Sequence, residues 1–338
     1  MSVIDFSRTL DRALVHRRAI AEVLPTSTTL ADDGSILIGV QMPRNHSFFG
    51  DILRSHGGHD PMLFLESVRQ CMYVAAHLHC GAPLDRSFIL RGIGIKVTEP
   101  SLLDFTSAPV DAVVRMRINR RFGHNNDTTT GYSQVCELLI DGRVVGQAEG
   151  SASWLTLPSM ARLRARCRES RELPLVPVPM APPARIAPAE VNRRAPLNVV
   201  ISDLESGSDG DRAVIVVDTS NPTLFDHPLD HVPGMLMIEA CRQTAIAGAA
   251  RRGLTGRSWR LDAVSARFHE FAEHDQHAAC HVAPTKATQQ LDGSTELVCT
   301  ATARQAGRRL LDVDLTLTSA VPVRKDDRNR STPLVALP

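Results

Sequence analysis

Residues 225–248 read FDHPLDHVPGMLMIEACRQTAIAG. A loop dense in Asp, His and Pro runs into Pro233-Gly234, and an apolar helix is expected to begin there. Glu239, Arg242 and Gln243 sit at i, i+3 and i+4, so they share one face of that helix. Met235, Leu236, Met237, Ile238, Ala240, Ala245, Ile246 and Ala247 surround them. A helix apolar nearly all round is a buried helix. A carboxylate and a guanidinium on such a helix are costly to desolvate, so they must be paired, hydrogen-bonded or used.

Working outward, the same pattern occurs earlier in the chain. Glu66-Ser67-Val68-Arg69-Gln70 returns as Glu239-Ala240-Cys241-Arg242-Gln243, 173 residues later. Each copy follows a proline and an apolar run, Pro61 to Leu65 and Pro233 to Ile238. A His-rich loop precedes each: His46, His56 and His59 in the first, His227 and His231 in the second. Val15-His16-Arg17-Arg18-Ala19 is matched by Val191-Asn192-Arg193-Arg194-Ala195, and Arg86-Ser87-Phe88 by Arg257-Ser258-Trp259. Ordered matches whose offsets drift by only a few residues indicate a duplicated domain.

The rest of each half reads as strand. Tyr132 to Ile140 and Arg143 to Thr156 flank Asp141-Gly142, a hairpin signal, and Ala306-Gly307 marks the matching turn in the second half. One long helix wrapped by a curled antiparallel sheet is the natural packing for each half, an α+β class. The expected organisation is a first domain over 1–157, an Arg/Pro-rich linker over 158–190, a second domain over 191–324 and a polar tail over 325–338. The two helices are expected to pack side by side under one continuous sheet.

Net charge is +1, so no global field recruits nucleic acid or an anionic membrane. Seven cysteines without a CxxC pair argue against a disulfide framework or a zinc knuckle and favour a reducing compartment. No run approaches the ~18 apolar residues of a membrane span. The expectation is a soluble cytoplasmic protein.

The string DHPLDHVPGMLMIEACRQ resembles the active-site segment of hotdog-fold dehydratases and thioesterases. With the repeated E-x-x-R-Q and the overall length, it looks specifically like the AfsA-type A-factor biosynthesis family. The resemblance implies two tandem hotdog domains forming a pseudo-dimer. It implies an acyltransferase that moves a β-ketoacyl group from a carrier-protein or coenzyme A thioester to a hydroxyl of dihydroxyacetone phosphate. The product leads to a γ-butyrolactone, butenolide or furan signalling molecule. No cofactor or metal is implied, and an oligomer is compatible. The family's Glu and Arg positions match Glu66, Glu239 and Arg242 by motif, and Arg69 by repeat symmetry. Arg242 stands where dehydratases carry a small residue, and the loop from His227 to Pro233 looks shorter; both put the dehydratase reaction in doubt. A dehydratase or thioesterase, and a non-catalytic acyl-binding or regulatory module, are the alternatives.

Transfer to an alcohol needs a base, oxyanion donors and a positioned acceptor. Glu239 or His227 is the candidate base. The Gly234 and Met235 amides at the helix start are candidate oxyanion donors, since first-turn N–H groups lack an intrahelical partner. Gly234 would let substrate approach the backbone. Arg242 or Arg69 is the candidate phosphate contact, and Gln243 lies on the same face. The second copy keeps the Asp-His-Pro loop and the Pro-Gly start, whereas the first has Asp60-Pro61-Met62. The reaction is therefore expected at the second helix, with Glu66 and Arg69 contributing from across the interface. A structural salt bridge is the plain reading of either Glu/Arg pair. His269, His274, His277 and His281 fit no metal-ligand spacing and read as a solvated turn. Arg162, Arg164, Arg166, Arg168 and Arg171 read as a solvated charged face.

Overall fold

A computed structural model of the chain describes residues 4–53, 57–123, 129–178, 180–254 and 258–319. The first half contains β1 (Pro25–Leu30), β2 (Ile36–Met42), α1 (Pro61–His79), β3 (Ser87–Val97), β4 (Val110–Gly123), β5 (Thr129–Ile140) and β6 (Arg143–Leu155). The connecting helix α2 (Leu157–Glu169) follows. The second half contains β7 (Ile201–Gly207), β8 (Gly210–Ile215), α3 (Gly234–Arg251), β9 (Trp259–Phe268), β10 (Ala278–Val282), β11 (Lys286–Gln289), β12 (Thr295–Gln305) and β13 (Arg308–Ser319). His56, Arg257 and the expected tail over 325–338 lie outside the described residues.

The two halves share one antiparallel sheet. Its order is β1-β2-β4-β5-β6-β3-β9-β13-β12-β10-β8-β7, with β11 paired to β12. The halves join at β3 and β9, where Gly92 faces Arg267 and Lys96 faces Ala263. Reading outward from that seam, each half repeats the same strand order, as a fused pair of hotdog domains requires. The hairpin turns repeat as well. Asp141-Gly142 and Ala306-Gly307 all have positive φ, the two-residue conformation that matches strand twist. One bulge in each hairpin, at matching positions, keeps the register equivalent.

Each central helix is closed by its sequence. Asp60 caps α1 by accepting from Met62 N at 3.1 Å, with Pro61 preset for the first turn. Gly253, at φ 86°, lets the chain leave α3. Leu65, Val68 and Met72 of α1 and Leu236, Ile238 and Ala240 of α3 are fully buried. Among the described residues no helix is long and apolar enough to cross a membrane, and no cluster of His, Cys, Asp or Glu is arranged to hold a metal ion.

The 158–190 segment differs from a solvated face. Arg164 and Arg168 of α2 are buried, and both bond the fully buried Glu273; Arg164 does so with two contacts of 2.7 Å. Arg164 also holds Asp230 at 3.0 Å, Arg168 holds Asp275, and Arg171 holds Glu270 at 2.8 Å. The arginines answer carboxylates of the second half, which spacing within their own helix gives no means of seeing. His274 is buried too, with Nε2 donating to Leu229 O at 3.1 Å, which corrects the solvated-turn reading there. Glu273→Gln leaves buried guanidiniums short of one countercharge, while Asp230 and Asp275 remain. The expected loss of stability is about 3 kcal/mol, the lower end for breaking a buried ion pair, read from the denaturant midpoint. A solvated face would change by no more than about 0.5 kcal/mol.

Candidate functional site

The two helices carry similar charged centres. At α1, Glu66 Oε1 accepts from Arg17 Nη2 at 2.6 Å, Arg69 Nη2 at 2.7 Å and Gln70 Nε2 at 2.8 Å. Its Oε2 accepts from Arg69 Nε at 2.7 Å. At α3, Glu239 Oε1 accepts from Arg193 Nη2 and Gln243 Nε2, both at 2.7 Å, and Oε2 from Arg242 Nε at 2.8 Å. Arg17 and Arg193 come from the matched Val-x-Arg-Arg-Ala segments. In each, a 3-10 turn ends on a left-handed residue, His16 at φ 53° or Asn192 at φ 62°, and the next side chain is delivered to the glutamate. That short match, weak as sequence evidence, is the signal for two site arginines that the motif reading missed.

The loops cross over between the halves. Asp226 accepts from Arg18 N at 2.6 Å and Ala19 N at 2.9 Å, and Thr223 O accepts from Arg17 at 3.1 Å. Asp51 does the same for the other half, accepting from Arg194 N and Ala195 N. Each half's loop thus seats on the entry segment of the other half's helix. His227 follows Asp226 onto the α1 side, where Arg17 and Arg69, the two cations paired with Glu66, act on it electrostatically. At the matched place after Asp51 stands Ile52, which is buried. One centre has an imidazole and the other has a hydrocarbon.

A second difference concerns the helix caps. Asp60 sits before α1, and its carboxylate takes both terminal nitrogens of Arg242, at 2.9 and 3.0 Å. The residue at the matching position before α3 is Pro233, which offers no carboxylate. Among the described residues Arg69 has Glu66 as its only ion-pair partner, and Nη1 donates to Tyr73 OH at 2.9 Å. Two arginines share two carboxylates at the α3 centre but only one at the α1 centre. The α3 centre is closed, with Glu239 0% and Arg242 3% exposed, whereas Arg69 is 15% and His227 33% exposed.

This geometry revises three expectations. Arg242 has spent its fork on Asp60 and Glu239, so it is not free for phosphate. Gln243 is fully buried, and both ends of its amide are used on Glu239, Asn198 O and Val200 N. At Gly234 a Cβ would lie 2.7 Å from the Phe268 ring, so any larger residue has to displace that ring. Met235 is half-buried beside it. The start of α3 carries no side-chain cap, unlike that of α1.

The charges follow from these contacts. Burial alone would raise the Glu66 pKa, but Arg69 and Arg17 outweigh it and hold the carboxyl well below its usual range. Glu66 is thus an anion at neutral pH and a poor proton acceptor. Burial lowers the His227 pKa, partly countered by Asp226, whose Oδ2 lies 3.5 Å from Nδ1. His227 is therefore a neutral imidazole of the centre, as is His16, which burial pushes down to about 4. Because the His227 pKa is depressed, its neutral form persists below the ordinary histidine value of 6.5. The acid limb of kcat/KM is expected below pH 6.5, and a pH–rate profile checks it.

Comparison with other proteins follows the same lines. A family model described as the A-factor biosynthesis hotdog domain matches residues 2–156 and 178–320. A 2-oxo-3-(phosphooxy)propyl 3-oxoalkanoate synthase of Streptomyces virginiae is 30% identical over 289 residues, covering 84% of this chain and 90% of that protein. A synthase of the same name from Streptomyces griseus is 29% identical over 268 residues, covering 77% of this chain and 80% of its own. Among solved structures, an isomerase-inactive variant of GphF DH1 superposes with a TM-score of 0.50 at 12% identity, covering 89% of this chain and 97% of that one. That last likeness speaks to the fold alone. With both halves matched in order, the chain belongs to the A-factor biosynthesis hotdog family.

Proposed function

We propose that the chain transfers a β-ketoacyl group from a carrier thioester to the hydroxyl of dihydroxyacetone phosphate, at the α1 centre. The product would be the ester that the relatives' name describes, a precursor of a γ-butyrolactone-type signal. The observation that carries this reading is the missing carboxylate. Where Arg242 meets Asp60 besides Glu239, Arg69 meets no second carboxylate besides Glu66 among the described residues, and it lies beside a neutral imidazole. A phosphate on the acceptor would supply the absent anion, gripped by the guanidinium hydrogens that Glu66 and Tyr73 leave over.

In this reading His227 takes the hydroxyl proton as the alcohol oxygen attacks the thioester carbonyl. The oxyanion forms beside the uncapped start of α3, where the Gly234 and Met235 amides point along the positive end of the helix dipole. Collapse breaks the C–S bond, and the proton held by His227 neutralises the departing thiolate. Glu66 orients Arg17 and Arg69. No covalent enzyme intermediate is needed. The carrier is an acyl carrier protein or coenzyme A, and both deliver the same thioester.

Mixing purified protein with a β-ketoacyl thioester and dihydroxyacetone phosphate is expected to give a phosphorylated ester by mass spectrometry. Absence of ester at every chain length would overturn the proposal. Free acid released without acceptor would indicate a thioesterase, and an enoyl product a dehydratase. Arg69→Gln is expected to raise the KM for the phosphorylated acceptor by about 10- to 100-fold, the scale of a hydrogen bond to a charged group.

A further inference from the structure

Tyr73 is absent from the motif yet stands within the α1 centre, one turn beyond Arg69 on the same helix face. Its oxygen accepts from Arg69 Nη1 at 2.9 Å. A phenol both donates and accepts. With Arg69 filling the acceptor side, the phenolic hydrogen remains, and among the described residues no acceptor takes it. The ring itself is fixed. It packs edge-on to Phe88, with centroids 4.9 Å apart, and against His16 at 5.2 Å. His16 is held in turn by His77, Nε2 to Nε2 at 2.9 Å.

The duplication provides an internal control. The position matching Tyr73 in α3 is Ile246, that matching His77 is Ala250, and that matching His16 is Asn192. Asn192 gives its amide to Trp259 O at 3.0 Å and serves the backbone alone. The fold therefore builds the same helix, turn and sheet without the phenol. Tyr73 is present only where the second carboxylate is missing and the loop histidine is present.

Building on the phosphate reading of Arg69 above, we propose that Tyr73 is a phosphate-binding residue, donating its hydroxyl hydrogen to the phosphomonoester of the acceptor. Arg69 polarises that hydroxyl by donating to its oxygen, which strengthens it as a donor. Tyr73 and Arg69 then form one grip that distinguishes a phosphorylated acceptor from its free alcohol. A site built to hydrogen-bond a substrate group discriminates strongly against the analogue that lacks it, because its own polar groups are left unpaired.

The test is Tyr73→Phe, which removes one oxygen and keeps the ring packing. Its kcat/KM for dihydroxyacetone phosphate is expected to fall about tenfold or more, with dihydroxyacetone itself used equally well by both proteins. Equal loss on both acceptors, or no loss on the phosphorylated one, overturns the proposal. Calorimetric titration with inorganic phosphate gives a reading that does not depend on the transfer reaction. Weaker binding by the variant than by the unaltered chain supports the grip even if no ester forms. Equal binding by both overturns it. Matching melting temperatures of the two proteins separate this effect from a packing defect, and Tyr73→Ile, the residue used by the second half, is the fallback if Tyr73→Phe melts early.

Discussion

Replacing His227 with glutamine is expected to lower kcat for ester formation by about 10²- to 10⁴-fold, the contribution typical of a positioned general base. Melting temperature should stay unchanged. The ring is a third exposed, and Nδ1 makes no hydrogen bond, the Asp226 carboxylate being 3.5 Å away. The loop is anchored by Asp226 through the Arg18 and Ala19 amides, and by Thr223, not by the imidazole. Catalysis and folding therefore separate at this residue. Steady-state kinetics with a β-ketoacyl thioester provide the measurement. A variant that retains most of its kcat would remove His227 from the role and point to His16, the other depressed imidazole beside Arg69, since Glu66 is locked as an anion by two arginines.

Glu239→Ala is expected to have the largest effect on stability, a loss of about 5 kcal/mol, the upper end for removing one partner of a buried ion pair. Glu239 is fully buried, and it answers two guanidiniums that are themselves buried, Arg193 and Arg242. Without it Arg193 keeps the backbone carbonyls of Phe48 and Asp51 and the face of the Phe48 ring. Arg242 keeps Asp60. Neither cation reaches water, Arg193 being 0% and Arg242 3% exposed. Arg242→Ala strands Glu239 and Asp60 in the same way. Urea denaturation should show both variants shifted far below the unaltered chain, while Arg69→Gln stays close to it and fails in turnover. If Arg242 variants instead stay stable and lose only activity, the working centre is at α3, and the assignment to α1 is wrong.

Two short features governed how far the residues alone could lead. The E-x-x-R-Q repeat and the Asp-Gly and Ala-Gly turns carry local geometry, a helix face and a hairpin, which depend on neighbours a few positions away. From these the tandem hotdog class, the continuous sheet and the paired glutamates are legible. The company of the loop histidine is not. In sequence, His227 lies beside Glu239 and far from Glu66, so reading along the chain puts the histidine on its own helix. The loop crossover reverses that assignment, because Asp226 seats on backbone amides some two hundred residues away. The Asp60–Arg242 fork is equally distant in sequence and equally decisive, since it closes one centre and leaves its twin short of a carboxylate. The buried arginines of α2 tell the same story. The sequence by itself determined the elements and their duplication, because those rest on local periodicity and turn chemistry. Only the tertiary structure decided which of two similar glutamate–arginine centres stays open, because that depends on which charges meet once the halves have packed.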